Sequence, residues 1–579
     1  ASPVSCHPSL SRDAEASTRN FFADNAYGIF GMDRRLHDGY DLYVIVSQAM
    51  SAPVVELPER MNAATYFVDA NVDAGRGQKI AIHDAGDGST FTYDDVLAMT
   101  NRTGNVLKAL DVRREERVML LLLDSPEFAF CFFGAIKIGA VPVPVNTLLK
   151  PHDYEYLLND SRARVLLVSE PLLAQVEPIR SQLKYLEHIV VVGRDANGQW
   201  SYSELAGAAS PELVPEMLSK DDACFWLYSS GTTAFPKGAV HLQHDMLVAA
   251  DLYARPILDI NENDRTFSVA KLFFAYGLGN GLYFPFRVGA STVLYPGKPD
   301  RIRTYEIIQE YQPTLFFSVP TGYGGMLSVE DAAERFDIGS LRLCVSAGEA
   351  LPPALFERWK DRFGLEILDG IGSTEILHIF ISNRPGRVKP GSTGEIVPGY
   401  EAKIVDGQGR ETPAGEIGDL LIKGDSICAC YWNKHEVTKD TLEGHWIRTG
   451  DKYTCDDDGY FWYQGRSDDM LKVGGIWVSP VEIENILVQH PIVLESAVVG
   501  VADADGLIKP KAFVVLSDPS KANQDKLAVE LQTFVKEKTA VYKYPRWIEF
   551  VSELPKTATG KIQRFKLRSS DENQRTQHW

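Results

Sequence analysis

A chain of 579 residues, 45% hydrophobic and 24% charged, has the length for two or more packed domains and the composition of neither a disordered chain nor a fibre. Its net charge of −19 argues against a general binder of nucleic acid or anionic membrane surfaces. Seven scattered cysteines fit neither a disulfide framework nor a zinc ligand set; free thiols in a reducing, cytoplasmic setting are expected.

Residues 1–57 alternate aromatics, glycines and charges without a sustained period and read as a leader or extension to which no function is assigned. From about residue 90 the pattern sharpens. DDVLAMTNRTGNVLKAL predicts a helix, RVMLLLL a buried strand, and SPEFAFCFFGAIKIG a helix capped by Ser125 with Pro126 in its first position. AVPVPVN, RVLLVSE and HIVVVG predict further strands, spaced by helical segments at Pro151 and Pro171. This alternation implies an α/β domain with mainly parallel sheets and helices. The apolar run from Phe128 is broken by Lys137 and two prolines, so it fails as a membrane span. DACFWLYSSG continues the scheme as a strand that runs into the loop SSGTTAFPKG.

Further on, RLCVSAGEALP, EILDGIGSTEI and GDLLIKGD each join a short apolar strand to a polar or Gly-rich turn. The last hundred or so residues change character. SPVEIENILVQH opens with a capping box from Ser479 to Glu482, and ESAVVGVA, KAFVVLS, a helix over DKLAVELQTFVKEK and RWIEFVS complete a small separate α+β domain. Residues 569–579 form a polar tail.

Four constellations carry chemistry. Ser229, Ser230, Gly231, Thr232, Thr233 and Lys237 combine hydroxyls, a flexible bend and a cation, the ingredients of a phosphate cradle. Pro236 precedes Lys237 and Gly238 follows it, which excludes the Gly-Lys-Ser/Thr ending of an ordinary P-loop. Glu375 in GIGSTE offers a hard oxygen suited to Mg²⁺ beside a phosphate. WIRTGD and GRSDDMLK bring an aspartate and an arginine that fit a ribose, although a surface salt bridge is the commoner fate of such a pair. PKTATGKIQRFKLR holds Lys556, Lys561, Arg564, Lys566 and Arg568 without an acid, a candidate for meeting an anion in an otherwise acidic chain. Each stretch alone reads as a polar turn or a solvated face.

Their order decides. The Ser/Thr/Gly loop with PKG, then GSTE, TGD, GRSDD and finally PKTATGK resembles the adenylate-forming superfamily of acyl-CoA synthetases, peptide-synthetase adenylation domains and luciferases, from about residue 58 to 568. Ala234 departs from it, standing where the family usually has glycine. The resemblance implies a large N-terminal domain over 58–467 and a mobile C-terminal domain over 468–568, hinged at Asp468. It implies that a carboxylate attacks the α-phosphate of ATP to give an acyl-adenylate and pyrophosphate, after which the thiol of coenzyme A takes the acyl group. On this basis residues 229–238 hold the β- and γ-phosphates, Glu375 binds Mg²⁺ and Thr374 positions the α-phosphate. Ala347, Gly348 and Glu349, with Asp369, Gly370, Ile371 and Gly372, flank the adenine; Asp451 and Arg466 contact the ribose. Lys561 bridges the carboxylate and the α-phosphate, and Gly474 and Gly475 line the coenzyme A path.

KLFFAYGLGNGLYFP and GIGSTEILHIFISNRPG resemble the benzoate-CoA ligase branch, which makes Phe274, Ala275, Tyr276, Gly277 and His378 the candidate pocket for an aromatic acid, while Phe273 and Phe284 read as core. FFAYGLG offers no aspartate for the amino group that a peptide-synthetase adenylation domain would bind. The alternatives are a medium-chain or other aryl acyl-CoA synthetase, a ligase loading an acyl-carrier protein and, from another class, a catalytically silent nucleotide or acyl binder. Neither nucleic acid nor membrane is expected as a partner, and the chain is expected to act as a monomer or homodimer.

Overall fold

The computed structural model describes residues 55–229, 235–298, 300–467, 469–473, 476–503, 507–518, 524–556 and 562–568. The large N-terminal domain is built on two sheets of mostly parallel strands. One has five strands, in the order Val141–Pro144, Arg117–Leu121, Val165–Ser169, His188–Val192 and Trp200–Ser201, all parallel. The other has nine, with Ile367–Gly372, Leu343–Ser346, Leu315–Ser318, Arg265–Ser268, Ser291–Leu294 and Ile80–Asp84 parallel in the middle and antiparallel strands at its edges. The middle strands Leu315–Ser318 and Leu343–Ser346 are buried along their whole length, as expected where helices cover both faces.

The helix Pro126–Lys137 is buried at every position except Glu127, because it is apolar all round. Lys137 at its end is fully buried, paired with Asp69 Oδ1 at 2.6 Å, and burial lowers its pKa. Among the described residues no helix is long and apolar enough to cross a membrane. Ser125 occupies the cap position without capping: its hydroxyl donates to Glu127 Oε2 instead. The segment at Pro171 is 3₁₀ helix over Glu170–Gln175 rather than α.

Ala223–Ser229 does not join either parallel sheet. It forms an antiparallel hairpin with Lys237–Leu242, flanked by Cys430–Tyr431. A buried apolar run looks the same in either setting, so the pattern could not distinguish them.

The small C-terminal domain has its own core, including Leu471, Val498, Val514 and Leu531. Its sheet joins Val493–Ala502 antiparallel to Ile508–Leu516 and that strand parallel to Trp547–Phe550, with helices Pro480–Val488 and Gln524–Lys538. The capping box of Pro480–Val488 is half formed. Ser479 Oγ accepts from Glu482 N, but the Glu482 carboxylate accepts from Thr539 and Lys543.

Candidate active site

The loop 229–238 is described at its stem. Ser229 stands opposite Lys237 in the hairpin register, so hydroxyl and ammonium leave the sheet side by side. Ser229 Oγ donates to Glu375 Oε1 at 2.8 Å, joining two motifs 146 residues apart. Tyr431 OH donates to the same oxygen at 2.8 Å, and its ring lies 4.5 Å from Lys237 Nζ. Burial and the Glu375 carboxylate push the Tyr431 phenol well up, so it remains a donor. Among the described residues no hydrogen bond falls on Glu375 Oε2, and no cluster of three or more His, Cys, Asp or Glu is placed to hold a metal alone. A carboxylate oxygen with no described partner, beside the candidate phosphate loop, fits the needs of Mg²⁺, which takes one or two protein carboxylates and completes its shell from substrate phosphate and water.

Thr374 is held from behind. His241 is fully buried, with Nε2 2.8 Å from the Thr374 carbonyl oxygen and Nδ1 2.7 Å from Asp245 Oδ2. A carbonyl only accepts, so Nε2 is the donor in that contact. The ring also stacks on Phe225 at 5.1 Å. The sequence reading missed His241, Asp245 and Tyr431; a histidine four residues before an aspartate, just past the PKG motif, was the only signal for the first two.

Leu377 divides the segment. It is a buried non-glycine residue at φ +75°, ψ −46°, a conformation that costs on the order of 1–3 kcal/mol and persists only where its surroundings impose it. Before it, Glu375 faces the hairpin stem. After it, His378 enters an aromatic shell, its ring centroid 4.3 Å from Phe284, 5.6 Å from Tyr253 and 5.7 Å from Tyr276. Burial lowers the His378 pKa to about 3, so the ring is neutral. Its Nε2 donates to the Tyr276 carbonyl at 3.3 Å, and Nδ1 has no partner among the described residues.

Tyr276 is half-buried and sends its hydroxyl to the Ser318 and Val345 carbonyls at 3.3 and 3.2 Å. Phe274, also half-buried, packs on the buried Phe273 at 4.3 Å. Ala275 is buried in the first turn of the helix Ala275–Leu278. A side chain at Gly277 would collide with the Lys271 carbonyl, so close backbone packing already accounts for this glycine. Phe284 is core, as expected, yet its ring also walls His378.

In the segments expected to flank the adenine, the strand Leu343–Ser346 runs into Ala347, Gly348 at φ +93° and Glu349. Gly370, Ile371 and Gly372 close the adjacent strand, whose Asp369 is buried. Asp369 Oδ2 accepts from Leu351 N at 3.4 Å, Oδ1 has no partner among the described residues, and burial raises its pKa strongly. Asp451 pairs in register with Arg466, whose guanidinium donates to Asp451 Oδ1 and to the Thr449 carbonyl, each at 3.1 Å.

Part of the basic run near the C-terminus is taken up in ion pairs. Lys556 pairs with Glu495, Arg564 with Glu484 and Arg568 with Asp469, at 2.7, 2.8 and 2.8 Å, because the acids that neutralise it come from earlier in the same domain. Among the described residues, Ile562 N donates to Glu349 Oε1 at 3.2 Å and so links this stretch to the large domain. Ser230, Gly231, Thr232, Thr233, Asp468, Gly474, Gly475 and Lys561 lie outside the described residues.

Residues 69–432 match the model of the AMP-binding enzyme family, and residues 482–561 match that of the AMP-binding enzyme C-terminal domain. The chain belongs to the AMP-binding enzyme family. Within this family it is 50% identical to a benzoate–CoA ligase of Thauera aromatica over 91% of this chain and 99% of that one. Its fold matches an anthranilate CoA ligase, AuaEII, in complex with anthranoyl-AMP, with a TM-score of 0.85 and 49% identity over 89% and 98% of the two chains. A benzoate CoA ligase from Burkholderia xenovorans gives 0.82 and 46%, over 88% of this chain and all of that one. These matches make the chain an AMP-forming acid–thiol ligase with the two-domain adenylate-forming architecture.

Proposed function

We propose that the protein activates benzoate or a substituted benzoate with ATP and transfers the aroyl group to coenzyme A, releasing AMP and pyrophosphate. The observation that carries this reading is the aromatic shell around a neutral histidine, three residues from the carboxylate that reaches the hairpin stem. Tyr276 and His378 border the space for the ring. The relatives named for benzoate and anthranilate support the same substrate class.

In this reading the stem of the 229–238 loop binds the β- and γ-phosphates, with Lys237 as a point charge. Mg²⁺, held by Glu375 and the nucleotide phosphates, would neutralise charge on the departing pyrophosphate. The Thr374 main chain, fixed by His241, holds its hydroxyl toward the α-phosphate. Asp451 accepts from the ribose, steadied by Arg466. Attack brings two anions together, so a lysine placed at the developing charge lowers the barrier more than it stabilises the separated reactants; Lys561 takes that role. The C-terminal domain, 468–568, then turns about Asp468 so that coenzyme A reaches the adenylate past Gly474 and Gly475. The free thiols are consistent with a cytoplasmic enzyme.

Pyrophosphate release measured with benzoate, hydroxybenzoates, aminobenzoates and hexanoate tests the assignment. Preference for the aromatic acids is expected. A strong preference for hexanoate would overturn it.

A further inference from the structure

The hairpin that carries the phosphate loop is short, and one helix touches both of its strands. Tyr156 and Asp160 are four residues apart on the helix Pro151–Ser161 and therefore share a face. Tyr156 takes the strand that leaves the loop: its ring stacks on Phe235 at 4.8 Å and its hydroxyl donates to the Pro236 carbonyl at 3.1 Å. Asp160 takes the strand that enters it: Oδ2 accepts from Tyr228 OH at 2.8 Å. The Asp160 carbonyl also accepts from Trp432 Nε1 at 2.9 Å, and Trp432 N donates to the Gly238 carbonyl at 2.8 Å. Ser229 and Lys237 are the next residues along those strands.

Phe235 needs an explanation of its own. It is 59% exposed, so burial does not account for a large aromatic beside a loop of small polar residues, and its described ring contact is with Tyr156.

We propose that Tyr156 and Asp160 are positioning residues for the ATP phosphates, holding both strands of the hairpin so that Ser229 and Lys237 at its end meet the nucleotide from a fixed base. A hydroxyl and an ammonium held in place before the ligand arrives bind it without the ordering cost that freely moving groups would incur. The gain falls on the step in which ATP is bound and pyrophosphate leaves. It does not reach the second half-reaction, where the loop has no phosphate tail to hold. The inference rests on the reading of residues 229–238 as the triphosphate site.

The test compares Tyr156→Ala, Tyr156→Phe, Phe235→Ala and Lys237→Ala in the full-length protein. For each, KM for MgATP is measured in benzoate-dependent pyrophosphate release, and thioester formation is measured from supplied benzoyl-adenylate and coenzyme A. Tyr156→Ala is expected to raise KM for MgATP about tenfold while thioester formation stays within about twofold of wild type. Tyr156→Phe, which keeps the stacked ring and loses the hydroxyl, should fall between wild type and Tyr156→Ala. Phe235→Ala, at a largely exposed position, should raise KM in the same direction and serves if Tyr156→Ala does not fold. If Lys237→Ala raises KM for MgATP while Tyr156→Phe and Phe235→Ala leave it at the wild-type value, the anchoring role is overturned. Equal losses in both half-reactions would overturn it too. If Lys237→Ala itself leaves KM unchanged, the assignment of the loop to the phosphates fails instead.

Discussion

The residues on either side of Leu377 meet opposite surroundings. Glu375, two positions before it, accepts hydroxyl hydrogen bonds from two strands of the hairpin sheet and keeps one oxygen free of described partners. His378, one position after it, is enclosed by rings and is forced neutral. A polar surface suits phosphate and magnesium, and a dry aromatic one suits the ring of the acid. The comparison teaches that one strained residue gives a single short segment two unlike faces; in the proposed function each takes one substrate, and the reacting carboxylate and α-phosphate meet where the two join.

The largest effect should come from the support that both surfaces share. His241→Ala would remove the bonds to the Thr374 carbonyl and Asp245 and leave a buried carboxylate without its histidine, at a cost of about 3–5 kcal/mol. Denaturant unfolding should show that loss, and ATP and benzoate kinetics should suffer together. An intact KM for either substrate would mean that the two surfaces do not share this support.

Glu375→Gln should separate them. Adenylation is expected to fall on the order of 10²–10³-fold, as when a group acting on transition-state charge is removed, while benzoate affinity changes little. Isothermal titration with benzoate beside pyrophosphate release checks both halves of this statement.

His378→Leu is the converse. A change of pocket shape and polarity of this size is worth about 1–3 kcal/mol, so KM for benzoate should rise by roughly 10- to 200-fold with KM for MgATP near wild type. A rise in KM for MgATP of the same size would dissolve the distinction.

The smallest effect concerns pH. The His378 pKa is depressed on folding, from the ordinary 6.5 to about 3, because burial penalises the charged ring, so the unfolded chain binds more protons in that window and stability falls as pH falls through it. Between pH 6.5 and 5 the loss attributable to this ring is about 2 kcal/mol. His83, lowered to about 4 by burial, titrates in the same direction. The comparison is therefore between wild type and His378→Leu, whose melting temperature should depend less on pH in this range.

Much of the fold could be read from the chain because buried parallel strands and amphipathic helices write their periods plainly, as in RVMLLLL and DKLAVELQTFVKEK. Ala223–Ser229 was read as part of a parallel sheet because a buried strand carries no mark of its partner's direction. In the site, Ser229, Lys237 and Glu375 were legible only through the order of their motifs. Tyr431 was not legible, since one tyrosine in CACYW looks like core until Glu375 arrives from elsewhere in the chain. The pairing of Lys556, Arg564 and Arg568 was hidden for the same reason: their neutralising acids, Glu495, Glu484 and Asp469, are remote in sequence. Long-range pairing was the missing information in each case.

The most direct test of two surfaces meeting at one reacting centre is a crystal structure with benzoyl-adenylate bound. The account predicts the benzoyl ring against Tyr276 and His378 and the phosphate beside Thr374, with Glu375 on the side of the hairpin stem. A benzoyl ring bound away from His378, or a phosphate remote from Thr374, would contradict it.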